Sequence, residues 1–153
     1  MTRLAFLSPH EADVEPVSPV RATADPAYTD VSGLGKLEVR GAAPPDALPI
    51  GPGRWLYVID GDVRPGRDRL VRAGSRVYDQ TAALAAFEIS GEDLLRRLTE
   101  LDPATLPAVG SIARGTPAVI ERLDGERFRL FVPQELGQFV ADVIADLARG
   151  LGR

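Results

Sequence analysis

Short runs of alternating apolar and polar residues, broken by glycine and proline, make up most of the chain, and two stretches recur instead at helical spacing. Lys36–Arg40 alternates as a strand, and Gly41 ends it. Arg54–Ile59 (RWLYVI) is rich in aromatic and β-branched residues and predicts the next strand; Asp60-Gly61-Asp62 behind it is turn chemistry. Ala85–Ile89 predicts a further strand and Gly110–Ala113 a short one. Pro117–Leu123 and Arg127–Val132 flank Asp124-Gly125, a hairpin signal because Asp-Gly suits a type I′ turn. Along Arg127–Val132, Phe128, Leu130 and Val132 point to one face and Arg127, Arg129 and Phe131 to the other.

The first helical stretch starts at Ser90-Gly91-Glu92-Asp93, which resembles a capping box with Ser90 as N-cap. It runs to about Leu101 with Leu94, Leu95, Leu98 and Leu101 on one face, and Pro103 and Pro107 stop it. The second spans about Gln134–Ala148 with the stripe Leu136, Phe139, Val140, Val143, Ile144 and Leu147, and Gly150 is its natural stop. Between Gly41 and Arg54, four prolines leave room for about one helical turn at most. The order strands, helix, strands, helix predicts an α+β domain with mostly antiparallel pairing and two main amphipathic helices. Residues 1–28, with Pro9, Pro16, Pro19 and Pro26, show no clear period; they predict an extended arm ahead of a domain over 29–153.

One motif occurs twice. Residues 30–41 read DVSGLGKLEVRG and residues 79–91 read DQTAALAAFEISG. Each opens on Asp-x-Ser/Thr (Asp30/Ser32, Asp79/Thr81) and closes on apolar–Glu–β-branched–x–Gly. A repeat about fifty residues apart predicts one domain built from two related β-rich halves. Asp30 and Asp79 are placed for side-chain-to-backbone turns. Glu38 and Glu88 occupy matching positions and invite an acid/base pairing, but in alternating strands the polar face is the plainer reading.

Composition narrows the chemistry. The chain has 153 residues, enough for one domain with its own core, and no cysteine, which excludes disulfides, thiolate nucleophiles and Cys-ligated metal. The single histidine, His10, makes a multi-His metal site or a Ser-His-Asp triad a poor fit. A net charge of −4 gives no support to nucleic-acid binding. No apolar run approaches the ~20 residues of a membrane helix, and the N-terminal apolar patch is too short for a signal sequence, so the expected location is cytoplasmic. Gly33-x-Gly35 lacks the third glycine of a dinucleotide loop, and Asp60-x-Asp62 lacks the rest of a calcium loop. Arg64, Arg67, Arg69, Arg72 and Arg76 crowd one short window, with Asp60, Asp62, Asp68 and Asp79 among or beside them. The default for these arginines is a solvated, ion-paired surface; the functional alternative is a docking patch for an acidic partner. Trp55 and Tyr57 could wall a pteridine, with core packing as the simpler use.

Three stretches together resemble the gamma subunit of heterotetrameric sarcosine oxidase, a family related to the folate-binding domain of glycine-cleavage aminomethyltransferases. They are IGPGRWLYVI (Ile50–Ile59, with Gly51, Pro52, Trp55 and Leu56), YDQTAALAAFEISGEDLLRRLTELD (Tyr78–Asp102) and the terminal block Gly110–Ala148; residues 30–41 fit the family's opening strand. Two departures stand out: the helix expected after Gly41 looks eroded, and 61–76 is unusually arginine-rich. The resemblance implies a noncatalytic subunit that stabilises a complex oxidising sarcosine to glycine, with peroxide and methylene-tetrahydrofolate formed. It implies no cofactor on this chain, with FAD, FMN, NAD and tetrahydrofolate held by larger partner subunits. Two alternatives stay open: a stand-alone folate-binding or one-carbon accessory protein, and a structural partner of some other enzyme.

Overall fold

Each half of the chain opens with a short strand that joins the other half's sheet. The computed structural model describes residues 17–21 and 25–152. The first half holds β1 (Thr29–Asp30), β2 (Gly35–Arg40), β3 (Leu48–Gly51), β4 (Arg54–Ile59) and helix α1 (Arg64–Arg72). The second holds β5 (Arg76–Asp79), β6 (Leu84–Ser90), α2 (Glu92–Leu98), β7 (Ala108–Ile112), β8 (Thr116–Asp124), β9 (Arg127–Pro133) and α3 (Gly137–Arg149). One sheet runs β1-β6-β9-β8-β7 and the other β3-β4-β2-β5, with every pairing antiparallel. Thus β1, from the first half, pairs with β6, while β5, from the second, pairs with β2. The registers match as well: Thr29 and Asp30 face Glu88 and Phe87, just as Tyr78 and Asp79 face Glu38 and Leu37.

Three apolar clusters stack through this arrangement. Alternation along β2 puts Leu37 and Val39 on the face beneath α1, with Leu70, Trp55, Tyr57 and Val63. Leu48 and Leu56 of the four-stranded sheet meet Ala86 and Phe131 of the five-stranded sheet. Phe87, Ile89, Phe128, Leu130 and Val132 face α2 and α3, where Leu94, Leu95, Leu98, Val140 and Ile144 cover them. The layers are therefore helix, sheet, sheet, helices, and the α+β expectation with two related halves holds. Val20 joins this last cluster, and Gly137 lets the segment before it approach: a Cβ there would stand 2.9 Å from Pro19 Cγ and 3.1 Å from Ala85 Cβ. Of the arm expected over 1–28, residues 1–16, including His10, and 22–24 lie outside the described residues.

Several elements differ from expectation. A third helix, α1, occupies the arginine-rich window; Pro65 sits in its first turn, Asp62 Oδ1 accepts from the Arg64 amide at 2.9 Å, and Gly74 follows its end at φ 89°. A strand, β3, forms in the Pro-rich stretch, where residues 41–47 hold no helix. The capping box is not made: the N-cap of α2 is Gly91, at φ 100°, and no side chain caps the helix, because Ser90 is still in the ladder opposite Arg127. That helix ends at Leu98, short of Leu101, because Thr99 is extended and its hydroxyl donates to the Ser111 carbonyl at 2.9 Å. Phe139 lies 39% exposed, outside the buried stripe of α3, and Gly150 keeps right-handed geometry. In the β8–β9 hairpin Asp124 pairs with Arg127, so the loop residues are Gly125 and Glu126.

Candidate functional site

The residues that recur in the two halves meet across the strand exchange. Asp30 Oδ1 accepts from the Ser32 amide at 2.9 Å, and Asp79 Oδ1 accepts from the Thr81 amide at 2.9 Å, so both expected turns form. Each turn presents a hydroxyl to the opposite half. Ser32 Oγ accepts from the Ala86 amide at 3.0 Å; Thr81 Oγ1 accepts from the Lys36 amide at 3.1 Å. Backbone bonds repeat the pattern: the Val31 amide donates to the Ala86 carbonyl at 2.9 Å and the Gln80 amide to the Lys36 carbonyl at 2.8 Å. Lys36 and Ala86 occupy equivalent positions in the two repeats, so the halves clasp each other by the same bonds in both directions.

The symmetry breaks at those two positions. Ala86 packs between the sheets, whereas Lys36, the chain's only lysine, is fully buried and donates from Nζ to the Ser32 carbonyl at 2.7 Å. Burial pushes its ammonium down to about 8, with Asp30 and Asp79 pulling weakly the other way.

Glu38 and Glu88 do not face open solvent as a free pair. Glu38 is buried, with Oε1 taking Arg40 Nε at 2.8 Å and Arg54 Nε at 2.9 Å; its hydrogen bond to Arg54 leads in holding its carboxyl below the usual range. Glu88 Oε1 takes Arg129 Nη2 at 2.7 Å, and Arg129 Nη1 reaches Glu121 Oε1 at 2.9 Å. Burial raises Glu121 against the pull of Arg129. The repeated glutamates are thus anchors for arginines on their own and neighbouring strands, which makes them unavailable as an acid/base couple.

Of the five arginines expected as a docking patch, Arg64, Arg67, Arg69 and Arg72 lie on α1 and Arg76 on β5. Arg64 pairs with Asp62 at 2.9 Å, Arg69 turns back to donate to Tyr57 Oη at 3.1 Å, and Arg72 donates to the Asp68 carbonyl at 3.2 Å. Arg67 projects alone from α1, while Arg76 leaves the helix and stands on β5 opposite Arg40. Trp55 and Tyr57 pack beneath α1, and Trp55 Nε1 donates to the Gly41 carbonyl at 3.1 Å. A cleft of about 1050 Å³ opens beside the clasp, lined in part by Ser32, Gly33, Asp79, Thr81, Asp62 and Arg64. Of its hydroxyls and carboxylates, Ser32, Asp79 and Thr81 are already bonded in the turns above, and Asp62 is paired with Arg64. Lys36, Arg40, Arg54 and Tyr78 carry features that spacing did not single out; the Lys36/Glu38/Arg40 alternation was the one visible signal.

What fold and repeat define is a two-sheet α+β domain with exchanged strands, which fits a fold of the folate-binding-domain kind. Among solved structures the chain is similar to a chain of the heterotetrameric sarcosine oxidase from Corynebacterium sp. U-96 in complex with pyrrole 2-carboxylate, with a TM-score of 0.65, 13% identity, and coverage of 82% of this chain and 85% of that one. At that identity the likeness is one of fold. No family model matches the chain, and no curated protein matches its sequence. No helix among the described residues is long and apolar enough to cross a membrane.

Proposed function

We propose that this chain is a noncatalytic subunit, of the gamma kind, in a heterotetrameric cytoplasmic flavoenzyme that oxidatively demethylates sarcosine to glycine. Its role there is to bury surface on the larger subunits and stabilise them. On this reading those subunits hold FAD, FMN, NAD and tetrahydrofolate, and this chain holds no cofactor. The fold likeness, extending over most of both chains, supports it. The observation that carries it is the clasp. The polar residues that recur in both halves, the natural places for chemistry, are engaged instead in joining the halves and anchoring arginines. The alternative of a stand-alone folate binder is weakened because Trp55 and Tyr57 pack beneath α1 and do not line the cleft beside the clasp.

The test is a pull-down from the native host with this chain as bait, followed by an absorption spectrum and a sarcosine oxidation assay of the eluate. A yellow complex of larger subunits that oxidises sarcosine is the expected result. A colourless eluate containing the bait alone overturns the reading, and tetrahydrofolate titration of the isolated chain then tests the alternative.

A further inference from the structure

Three arginines stand side by side at one end of the four-stranded sheet. Arg40 on β2 lies directly opposite Arg54 on β4 and directly opposite Arg76 on β5. Residues directly opposite in an antiparallel pair share a face, so the three guanidinium groups leave the sheet in one row. Adjacent strands are about 4.8 Å apart, and like charges at such positions repel. A sheet formed for stability alone gains nothing from this choice of residues.

One carboxylate meets the row. Glu38, two residues along β2 on the same face, takes Arg40 and Arg54 on Oε1 and Arg54 Nη2 on Oε2 at 3.2 Å. Arg76 has no acidic partner among the described residues. Tyr78, two residues beyond Arg76, lies beneath the Arg40 guanidinium, 4.8 Å from ring centroid to Cζ, and is 42% exposed. The Arg40 and Arg54 side chains are each 46% exposed. The cations are therefore held in place from below and open to solvent above, in a chain whose net charge is −4. Arginine and tyrosine on a rigid surface are the residue types that dominate binding energy at protein interfaces.

We propose that Arg40, Arg54, Arg76 and Tyr78 form a docking site for an acidic protein segment, one that presents Asp or Glu carboxylates to the row. Glu38 shows the geometry: its two oxygens accept from Arg54 Nε and Nη2 together, the fork that guanidinium offers to carboxylate. Its charge within the row also disfavours the dense negative charge of a nucleic acid. Where the subunit reading above holds, the segment belongs to a larger subunit.

The test uses the full-length chain and a hexaglutamate peptide as probe, followed by NMR titration at low salt, with the melting temperature of every variant recorded. Expected are saturable shifts centred on β2, β4 and β5, an affinity at least five-fold weaker in Arg76→Gln and intermediate in Arg76→Lys, and loss of binding as salt rises. Glu38→Gln, which removes the competing carboxylate, should tighten binding several-fold, a gain that loss of structure does not produce. Arg114→Gln, the same charge change in the β7–β8 turn, should alter affinity less than two-fold. The proposal is overturned by no binding, by equal losses in Arg114→Gln and Arg76→Gln, or by tighter binding of inorganic phosphate or of a short DNA duplex than of the peptide. These outcomes do not depend on the pull-down, so the docking site and the subunit reading fail separately.

Discussion

Lys36 Nζ donates to the Ser32 carbonyl oxygen at 2.7 Å from a fully buried position whose counterpart in the second half is Ala86. No carboxylate lies within ion-pair distance of that ammonium among the described residues; Asp30 and Asp79 act on it only through space. The folded pKa, about 8, lies below the ordinary 10.5, so the folded state disfavours the charged form. Below pH 8 that penalty is fully present. As pH rises through 8 toward 10.5 the unfolded chain binds more protons than the folded one, and stability increases. The gap amounts to about 3 kcal/mol. Urea midpoints should therefore climb across this window in the wild type. In Lys36→Met they should start higher at pH 7 and lack the climb; parallel pH curves for the two proteins would refute this account of Lys36.

Ser32 and Thr81 make one bond in two directions, and each can be removed singly. Thr81→Val keeps the shape but leaves the Lys36 amide without its acceptor; Ser32→Ala does the same to the Ala86 amide. Each should cost about 1–3 kcal/mol by equilibrium denaturation. Ser32→Ala should sit at the upper end, since Ser32 and the Ala86 amide are buried on both sides of the bond. A change below a few tenths of a kcal/mol in both would show that the clasp rests on its backbone bonds alone.

Much of this arrangement is legible in the sequence. Strand β4 has the predicted bounds, Asp30 and Asp79 form their turns, and the alternation of Phe128 to Val132 falls on the two faces as expected. These features are local, set by residue type and period. Helix α1 escaped because it buries only Leu70, so its window has no apolar stripe to read; Pro65 and Gly74 were the remaining signals. Strand β3 escaped because Pro49 argues against a strand, but β3 is an edge strand with an irregular register at Pro49, where a missing amide is tolerated. The strand exchange and the arginine row are long-range. They depend on which residue of one strand faces which of another, and composition along the chain does not carry that.

Gly35 opens β2 where the chain is crossed by its neighbours. A Cβ there would stand 2.2 Å from Val63 Cγ1, 3.2 Å from the Ile59 carbonyl oxygen and 3.3 Å from the Gly61 carbonyl oxygen. Val63 can rotate away; the two carbonyls belong to the end of β4 and its turn and cannot. Gly35→Ala should cost about 1–3 kcal/mol, and adding Val63→Ala should recover only part of it. Full recovery in the double variant would show that the side chain alone sets the constraint.

Arg129 is shared by two carboxylates on the strands either side of β9, at 2.7 Å from Glu88 and 2.9 Å from Glu121. All three side chains are mostly buried, so Arg129→Met removes one positive charge, takes from Glu121 its arginine and leaves Glu88 with Arg127 at 4.0 Å. Breaking such a group from one side costs about 3 kcal/mol. The cost should depend on pH in a stated direction. Burial already raises Glu121 in the folded protein, which means that its folded form binds protons more readily than its unfolded form. That contribution is present at acid pH and lost as pH rises through the raised value. Without Arg129 the rise is larger, because the guanidinium that opposed it is gone and Glu88 remains. The variant should be most destabilised at neutral pH and recover part of the loss in acid, as the pH falls through the raised value and Glu121 takes up its proton. A loss that is the same at neutral and acid pH would mean that lost packing of the arginine stem, and not the stranded Glu121 carboxylate, accounts for the effect.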